Sequence, residues 1–352
     1  MHSHPNSAAA TSSQSPTQPS SMTGTIDVHS HALLPIWLEA LRSATAPGVQ
    51  PTIAGAPIPE WTEHQHIATM DAHGISASLL SWPRATAIIK DGGTDAQALA
   101  RAMNEEFARI IDRNPARFGA FAALPIDDID ASLDEMAYAL DVLKLDGICI
   151  TTNVNGLYLG DQYFDDLLAE MHRRSATLFV HPTTPPGFAL GRLGLNPAII
   201  EYMFETTRMA TNMVVTGAKA RYSNINVICA HAGGTIPFLA PRISILEPQF
   251  GAGPGRETLN STEIMDGLSS FYFDLTAGTR PASLDGLGHL VPTSKLLMGF
   301  DYPMMPATEI APAMTAFSNY RRFDASDRAL ITHGNALRLF PRFKSSFKGY
   351  ET

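Results

Sequence analysis

The chain has 352 residues, 45% of them hydrophobic and 17% charged, with a net charge of −9. This is the composition of a globular protein able to bury a large core. The acidic balance, without any dense Lys/Arg block, argues against a nucleic-acid partner, and no apolar run approaches the roughly 20 residues of a membrane span.

In chain order, residues 1–22 are rich in Ser, Ala, Pro, Thr and Gln and lack the apolar core of a signal peptide, so a disordered tail is expected. His2 and His4 imitate a metal-binding pair there but have no scaffold to hold them. Residues 23–345 read as one domain. A first apolar strand, 25–29, is followed by Ser30 and His31. Residues 43–60, rich in Pro, Gly, Ala and Thr, form a long loop, either a lid or a surface insertion. A helix over 63–73 carries Ile67 and Met70 on one face and ends at Gly74. Strands at 76–81, 118–124 and 147–151 alternate with helices at 95–113, 130–142 and 164–175. A fifth strand, 176–181, leads to a long helix over 196–216, whose methionines and aromatics are core-forming. A sixth strand, 226–231, precedes a helix over 235–246. Strands at 271–275 and 295–301 and helices at 309–319 and 325–340 complete the chain.

Eight such alternations predict parallel strands joined by helices, and eight units favour a closed (β/α)8 TIM barrel over an open sheet. No glycine-rich phosphate loop follows a strand, so nucleotide-binding folds lose ground. The two cysteines, Cys149 and Cys229, lie inside apolar runs and read as buried, inert thiols. That usage fits a reducing compartment and a cytoplasmic location.

In a closed barrel, the C-terminal ends of all strands open on one face. His29 and His31 end the first strand, His181 the fifth, His231 the sixth and Asp301 the eighth. Residues i and i+2 of a strand point the same way, so both imidazoles of His29-Ser30-His31 are expected at the mouth. Together with His181 and Asp301 they form a single catalytic metal site of the zinc type. A carboxylate buried at the end of an apolar strand is costly unless paired, and coordination of Asp301 resolves that cost. The fourth strand ends Cys149-Ile150-Thr151-Thr152, without the lysine that could bridge two metals when carboxylated, which argues for one ion. His231, before Ala232-Gly233-Gly234, is a further ligand or a general acid/base; with enough ligands already present, it is assigned to proton transfer or to polarising the substrate. Asp27 either hydrogen-bonds local backbone or supports a ligand. At the mouth, Arg84 is a candidate for binding a substrate carboxylate and Trp82 for stacking on a ring, with a solvated loop and plain packing as the respective alternatives. Arg208, in the long helix, is a similar substrate-binding candidate.

Several stretches jointly resemble one family. They are Asp27-Val28-His29-Ser30-His31, Met70-Asp71-Ala72-His73-Gly74-Ile75, Pro115-Ala116-Arg117-Phe118-Gly119, His181-Pro182, His231-Ala232-Gly233-Gly234, Asp301-Tyr302-Pro303 and Gly334-Asn335-Ala336-Leu337-Arg338-Leu339-Phe340. The family is the amidohydrolase-related group of the aminocarboxymuconate-semialdehyde decarboxylase type. Within it, Glu205-Thr206-Thr207-Arg208 is similar to the branch containing 6-methylsalicylate decarboxylase. The resemblance implies a barrel with one divalent ion, zinc in the first place and manganese in the second. It implies His29, His31, His181 and Asp301 as ligands and His231 as the catalytic base. It also implies non-oxidative decarboxylation of an ortho-hydroxy aromatic carboxylic acid to CO2 and a phenol, and a homo-oligomer, dimer or tetramer. The proton donor to the ring is Asp301 or His231. The rival expectation is a hydrolase that attacks a small lactone or amide with metal-activated water.

Overall fold

Eight short runs of mostly apolar residues become eight parallel strands in the computed structural model, which describes residues 24–83, 85–89, 93–188, 194–250 and 257–347. The expected disordered tail and Arg84 lie outside the described residues. The strands are β1 (Thr25–His31), β2 (Ile75–Ser81), β3 (Phe118–Ala122), β4 (Gly147–Thr151), β5 (Thr177–His181), β6 (Asn226–Cys229), β7 (Tyr272–Asp274) and β8 (Leu296–Leu297). They pair in sequence order, every neighbour parallel, as the alternating pattern predicts.

The eighth strand is shorter than expected, ending at Leu297 instead of Asp301. The chain beyond it still closes the cylinder. Val28 N–H donates to the Met298 carbonyl at 2.9 Å, Asp301 N–H to His29 at 2.7 Å and His31 N–H to Tyr302 at 2.8 Å. A left-handed turn at Asp301, φ 58°, interrupts the ladder there.

Alternate strand residues fill the barrel. Ile26, Val28, Leu79, Phe121, Phe179, Ile228 and Leu297 form one interior cluster, with Phe121 stacked on Phe179 at 5.2 Å. Phe121 and Phe179 are wholly buried, and burial of an aromatic or branched side chain of this kind contributes about 1.5–3 kcal/mol. Ala336, Leu337 and Phe340 from the C-terminal segment join the same cluster. A larger cluster lies between strands and helices, built from Leu80, Met103, Phe107, Ile148, Leu178, Met209 and Phe271 among others.

The helices are α1 (Pro35–Ala44), α2 (Glu63–His73), α3 (Gly93–Arg113), α4 (Ile129–Ala137), α5 (Asp165–Arg174), α6 (Glu201–Val215), α7 (Ala218–Arg221), α8 (Ile236–Phe250), α9 (Ser261–Ser269), α10 (Pro281–Leu290), α11 (Ile310–Ser318), α12 (Ala325–Ala329) and α13 (Asn335–Leu339). None of the described helices is long and apolar enough to cross a membrane. Sequence reasoning passed over α1, although Pro35 at its first turn is a start signal. It also passed over a two-stranded hairpin, Asn153–Val154 with Leu157–Tyr158, set directly after β4. Its tip is Asn155-Gly156, with φ of 51° and 88°, the pair of positive angles that an Asn-Gly turn supplies at low cost.

The 43–60 loop is tied to a connection remote in the chain. Residues 45–62 carry only the short bridge Ile53–Ala56, yet the Asn196 side-chain amide donates to the Ala54 carbonyl at 2.8 Å. Ala54 belongs to the connection after β1 and Asn196 to the connection after β5. The connections after β1 and β5 therefore meet, although the two strands stand on opposite sides of the barrel.

Candidate metal centre

β1 delivers two imidazoles to one point because its register slips. Asp27 pairs with Ser78 but Ser30 with Leu80, one residue more on β1 than on β2. Ile26 and Val28 face the interior, so strict alternation would send Ser30 inward next. The bulge re-aims the strand instead, and Ser30 turns to β2, where its hydroxyl lies 2.7 Å from Ser78 Oγ and donates to the Leu79 carbonyl. The His29 ring then rests on Phe179 at 4.9 Å and lies 5.1 Å from His31. His181 needs no such device, since it follows Phe179 by two residues on a regular strand. His231 and Asp301 both occupy left-handed backbone, φ 56° and 58°. Side-chain-bearing residues avoid that region, and it recurs where function over-determines geometry.

The five side chains converge. One ligand atom from each of His29, His181, His231 and Asp301 lies within 4.8 Å of the other three, and all four residues are buried. His31 Nε2 stands 2.9 Å from Asp301 Oδ1, and its ring is 5.0 Å from that of His181. His29, His181, His231 and Asp301 form the compact group, and His31 stands beside it.

The outward nitrogens are already held. His29 Nδ1 lies 2.9 Å from Asp274 Oδ2, His31 Nδ1 3.1 Å from Ser81 Oγ, and His181 Nδ1 2.8 Å from the Pro182 carbonyl. That leaves His29 Nε2 and His181 Nε2 buried without a hydrogen-bond partner, while His31 Nε2 faces Asp301 Oδ1. Buried polar atoms are rarely orphaned, and a shared cation satisfies them together. Charge agrees. Burial, reinforced by the neighbouring imidazoles, holds His181 well below its usual pKa, and burial lowers His31 despite the Asp301 carboxylate. Both are therefore neutral lone-pair donors near pH 7. Burial works against charge on His29 too, but Asp274 and Asp301 outweigh it and push that imidazole up to about 10. Two buried carboxylates thus demand a positive charge at this point, and the imidazole–carboxylate donor set fits a divalent metal ion.

A profile of the amidohydrolase family matches residues 26–342. The chain belongs to the amidohydrolase family. It is 33% identical over 335 residues to the 6-methylsalicylic acid decarboxylase of Aspergillus aculeatus, covering 91% of this chain and 96% of that one. Among solved structures, an amidohydrolase II superposes with a TM-score of 0.80 at 26% identity, over 90% of this chain and 99% of its own. A dihydroxybenzoic acid decarboxylase from Polaromonas, with bound manganese and the inhibitor 2-nitroresorcinol, shares the fold with a TM-score of 0.76 at 22% identity, over 94% of this chain and all of that one.

Asp274 is the residue of this amidohydrolase centre that sequence reasoning missed. Besides His29, its Oδ1 accepts from the backbone N–H of His231 at 3.1 Å and of Thr276 at 2.9 Å. Burial alone would raise its pKa, and His29 beside it holds it below the usual carboxylate value. A carboxylate closing the apolar run Phe271-Tyr272-Phe273-Asp274 was the available signal, the same one that singled out Asp301. Asp27 takes the simpler of its two readings. It accepts from the His29 and Phe300 backbone N–H groups and from Ser78 Oγ, while burial pushes it up to about 7. Asp274→Asn is expected to weaken metal affinity about 10–100-fold, because an amide facing Nδ1 favours the tautomer whose proton sits on the coordinating Nε2. Titration of the apo-protein with zinc checks it, and unchanged affinity would refute it.

The three substrate-binding candidates diverge. Trp82 is buried, edge-on to His31 at 5.6 Å and to Trp37 at 4.5 Å. Arg84 lies outside the described residues. Arg208 is half-exposed and donates to Glu205 at 2.8 Å, lining a cleft with Tyr158, Pro185 and Phe188 that none of the five cluster side chains enters. A cavity of about 850 Å³ opens near the ends of β4 and β5, lined by Thr86, Thr151, Asn153, Thr183 and Pro186 with apolar Ile150, Val154 and Leu124; none of the five cluster side chains lines it, and its link to them is through the chain. Thr151 is the β-pairing partner of His181, and Thr183 follows His181 by two residues. The volume lies in the range of small-molecule sites.

Proposed function

We propose that this amidohydrolase is a metal-dependent, non-oxidative decarboxylase of an ortho-hydroxy aromatic carboxylic acid of the 6-methylsalicylate kind, releasing CO2 and a phenol. The observation that carries the reading is the buried cluster of four histidines and Asp301 in this chain, and it is supported by a relative named a 6-methylsalicylic acid decarboxylase. His29, His31, His181 and Asp301 would hold the ion, zinc in the first place and manganese in the second. When bound, that ion supplies Lewis-acid charge to orient a carboxylate and a neighbouring phenolic oxygen.

The chain's own groups then do the rest. The step requires a proton at the ring carbon that bears the carboxylate. His231 or Asp301 delivers it, the ring loses aromaticity, the C–C bond electrons return to the ring, and CO2 leaves. A positioned acid of this kind contributes about 10²–10⁴ in rate. Trp82, against His31, and Arg84, following it, are proposed to meet the ring and its carboxylate. Residues 45–62, whose Ala54 carbonyl accepts from Asn196, are proposed to keep water from the reacting centre. Exposed Phe238, Ile245 and Phe250 on α8 support a homo-oligomer.

Incubation of purified, metal-loaded protein with salicylate and 6-methylsalicylate tests the reading. The expected result is CO2 and phenol in equal amounts, abolished by a chelator and restored by zinc or manganese. Hydrolysis of a lactone or amide without CO2 from any aromatic acid would replace it with the hydrolase reading.

A further inference from the structure

Glu205 is a wholly buried carboxylate that the chemistry above does not use. Its position on α6 brings it under the 153–158 hairpin. Oε2 accepts from Asn153 Nδ2 at 2.6 Å and from Thr152 Oγ1 at 3.4 Å. Oε1 accepts from the Tyr158 hydroxyl at 2.6 Å and from Arg208 Nη1 at 2.8 Å. Asn153 and Tyr158 are cross-strand partners in the hairpin, so a single carboxylate grips both of its arms. A buried carboxylate is costly unless every lone pair finds a donor, and here four donors from three segments converge on it.

The hairpin is a wall of the cavity near the ends of β4 and β5. Asn153, Val154, Asn155 and Gly156 line it together with Thr183, Thr184 and Pro186. The two segments adjoin, since a Cβ on Gly156 would stand 3.4 Å from Pro186 Cγ. They are also joined through Thr152, whose backbone N–H donates to the His181 carbonyl at 3.0 Å and whose hydroxyl accepts from Thr183 N–H at 3.3 Å.

We propose that Glu205 is a positioning residue that sets the width of the substrate cavity by clamping the 153–158 hairpin, so that it governs which ring substituents the site admits. Arg208 then serves as its counter-ion. The proposal rests on the aromatic-acid reading only in naming the ligand.

The test uses full-length, metal-loaded Glu205→Gln, which keeps the shape and removes the charge. Salicylate binding is measured by calorimetry, and kcat and KM are measured for salicylate and 6-methylsalicylate. The expected result is one metal per chain as in the wild type, kcat within about threefold, and Kd and KM raised about tenfold, the size of effect that a displaced pocket wall produces. The preference between the two acids should also collapse. A variant that only melts earlier, with Kd, KM and preference intact, would overturn the proposal, as would loss of kcat alone. Should Glu205→Gln not fold, Tyr158→Phe removes one hydrogen bond at the half-buried edge and is expected to raise Kd about three- to fivefold; an unchanged Kd there also overturns it. Binding is read without turnover, so a wild type that binds salicylate but releases no CO2 sinks the decarboxylase reading alone. A wild type that binds no salicylate sinks both.

Discussion

His181→Ala is expected to emerge from dialysis with less than about a tenth of the wild-type metal content and no measurable CO2 release. Altering a residue that merely orients a ligand typically costs 10–100-fold in affinity, so deleting the ligand costs more than about 100-fold. The geometry gives the reason. His181 Nδ1 is committed to the Pro182 carbonyl, which leaves Nε2 buried, unpartnered and aimed at His29, His231 and Asp301. Burial keeps the ring neutral, so coordination displaces no proton from it. Alanine supplies no donor, and a fixed cluster of buried groups has no spare side chain to swing in. Elemental analysis of the dialysed variant decides the matter. Stoichiometric metal in folded His181→Ala would remove this residue from the ligand set.

His231→Ala is expected to behave in the opposite way, keeping its metal and losing about 10²–10⁴ in kcat, the usual contribution of a general acid. His231 lies within reach of the same point, with Nε2 3.5 Å from Asp301 Oδ2 and Nδ1 buried without a partner. Compactness by itself would group it with His29, His181 and Asp301 as a ligand, and leave His31 outside. Two facts favour the other division. His31 Nε2 already contacts Asp301 Oδ1 at 2.9 Å, while Ser81 fixes its opposite nitrogen, as a ligating imidazole requires. His231 Nδ1 has no such partner, which leaves that nitrogen open to exchange a proton. Metal content of His31→Ala and His231→Ala, measured side by side, separates the two arrangements. Metal lost from His231→Ala and kept in His31→Ala would exchange their roles.

Much of the site was readable before any coordinates. His29, His31, His181, His231 and Asp301 stand out because each ends an apolar run, and strand ends of a parallel barrel share a face. Alternation alone expects both imidazoles of His29-Ser30-His31 at the mouth, whereas the structure uses a bulge to aim them. The setting of Arg208 was not legible for the converse reason. A cation in a helix pattern carries no record of its partner, and here that partner is Glu205, three residues earlier in the same helix.

The sequence by itself determined the eight strand–helix alternations, the order of the strands and the polar residues that close the apolar runs, because periodicity is a local property of the chain. Only the tertiary structure decided that Asp274 orients His29 across 245 residues, that the chain beyond β8 closes the barrel without a regular strand, and that residues 45–62 meet Asn196. It alone showed Glu205 holding the hairpin beside the cavity. The physical reason is that a hydrogen-bonding side chain declares what it can bond but not with whom. Its partner is fixed by packing between segments that are remote in the chain.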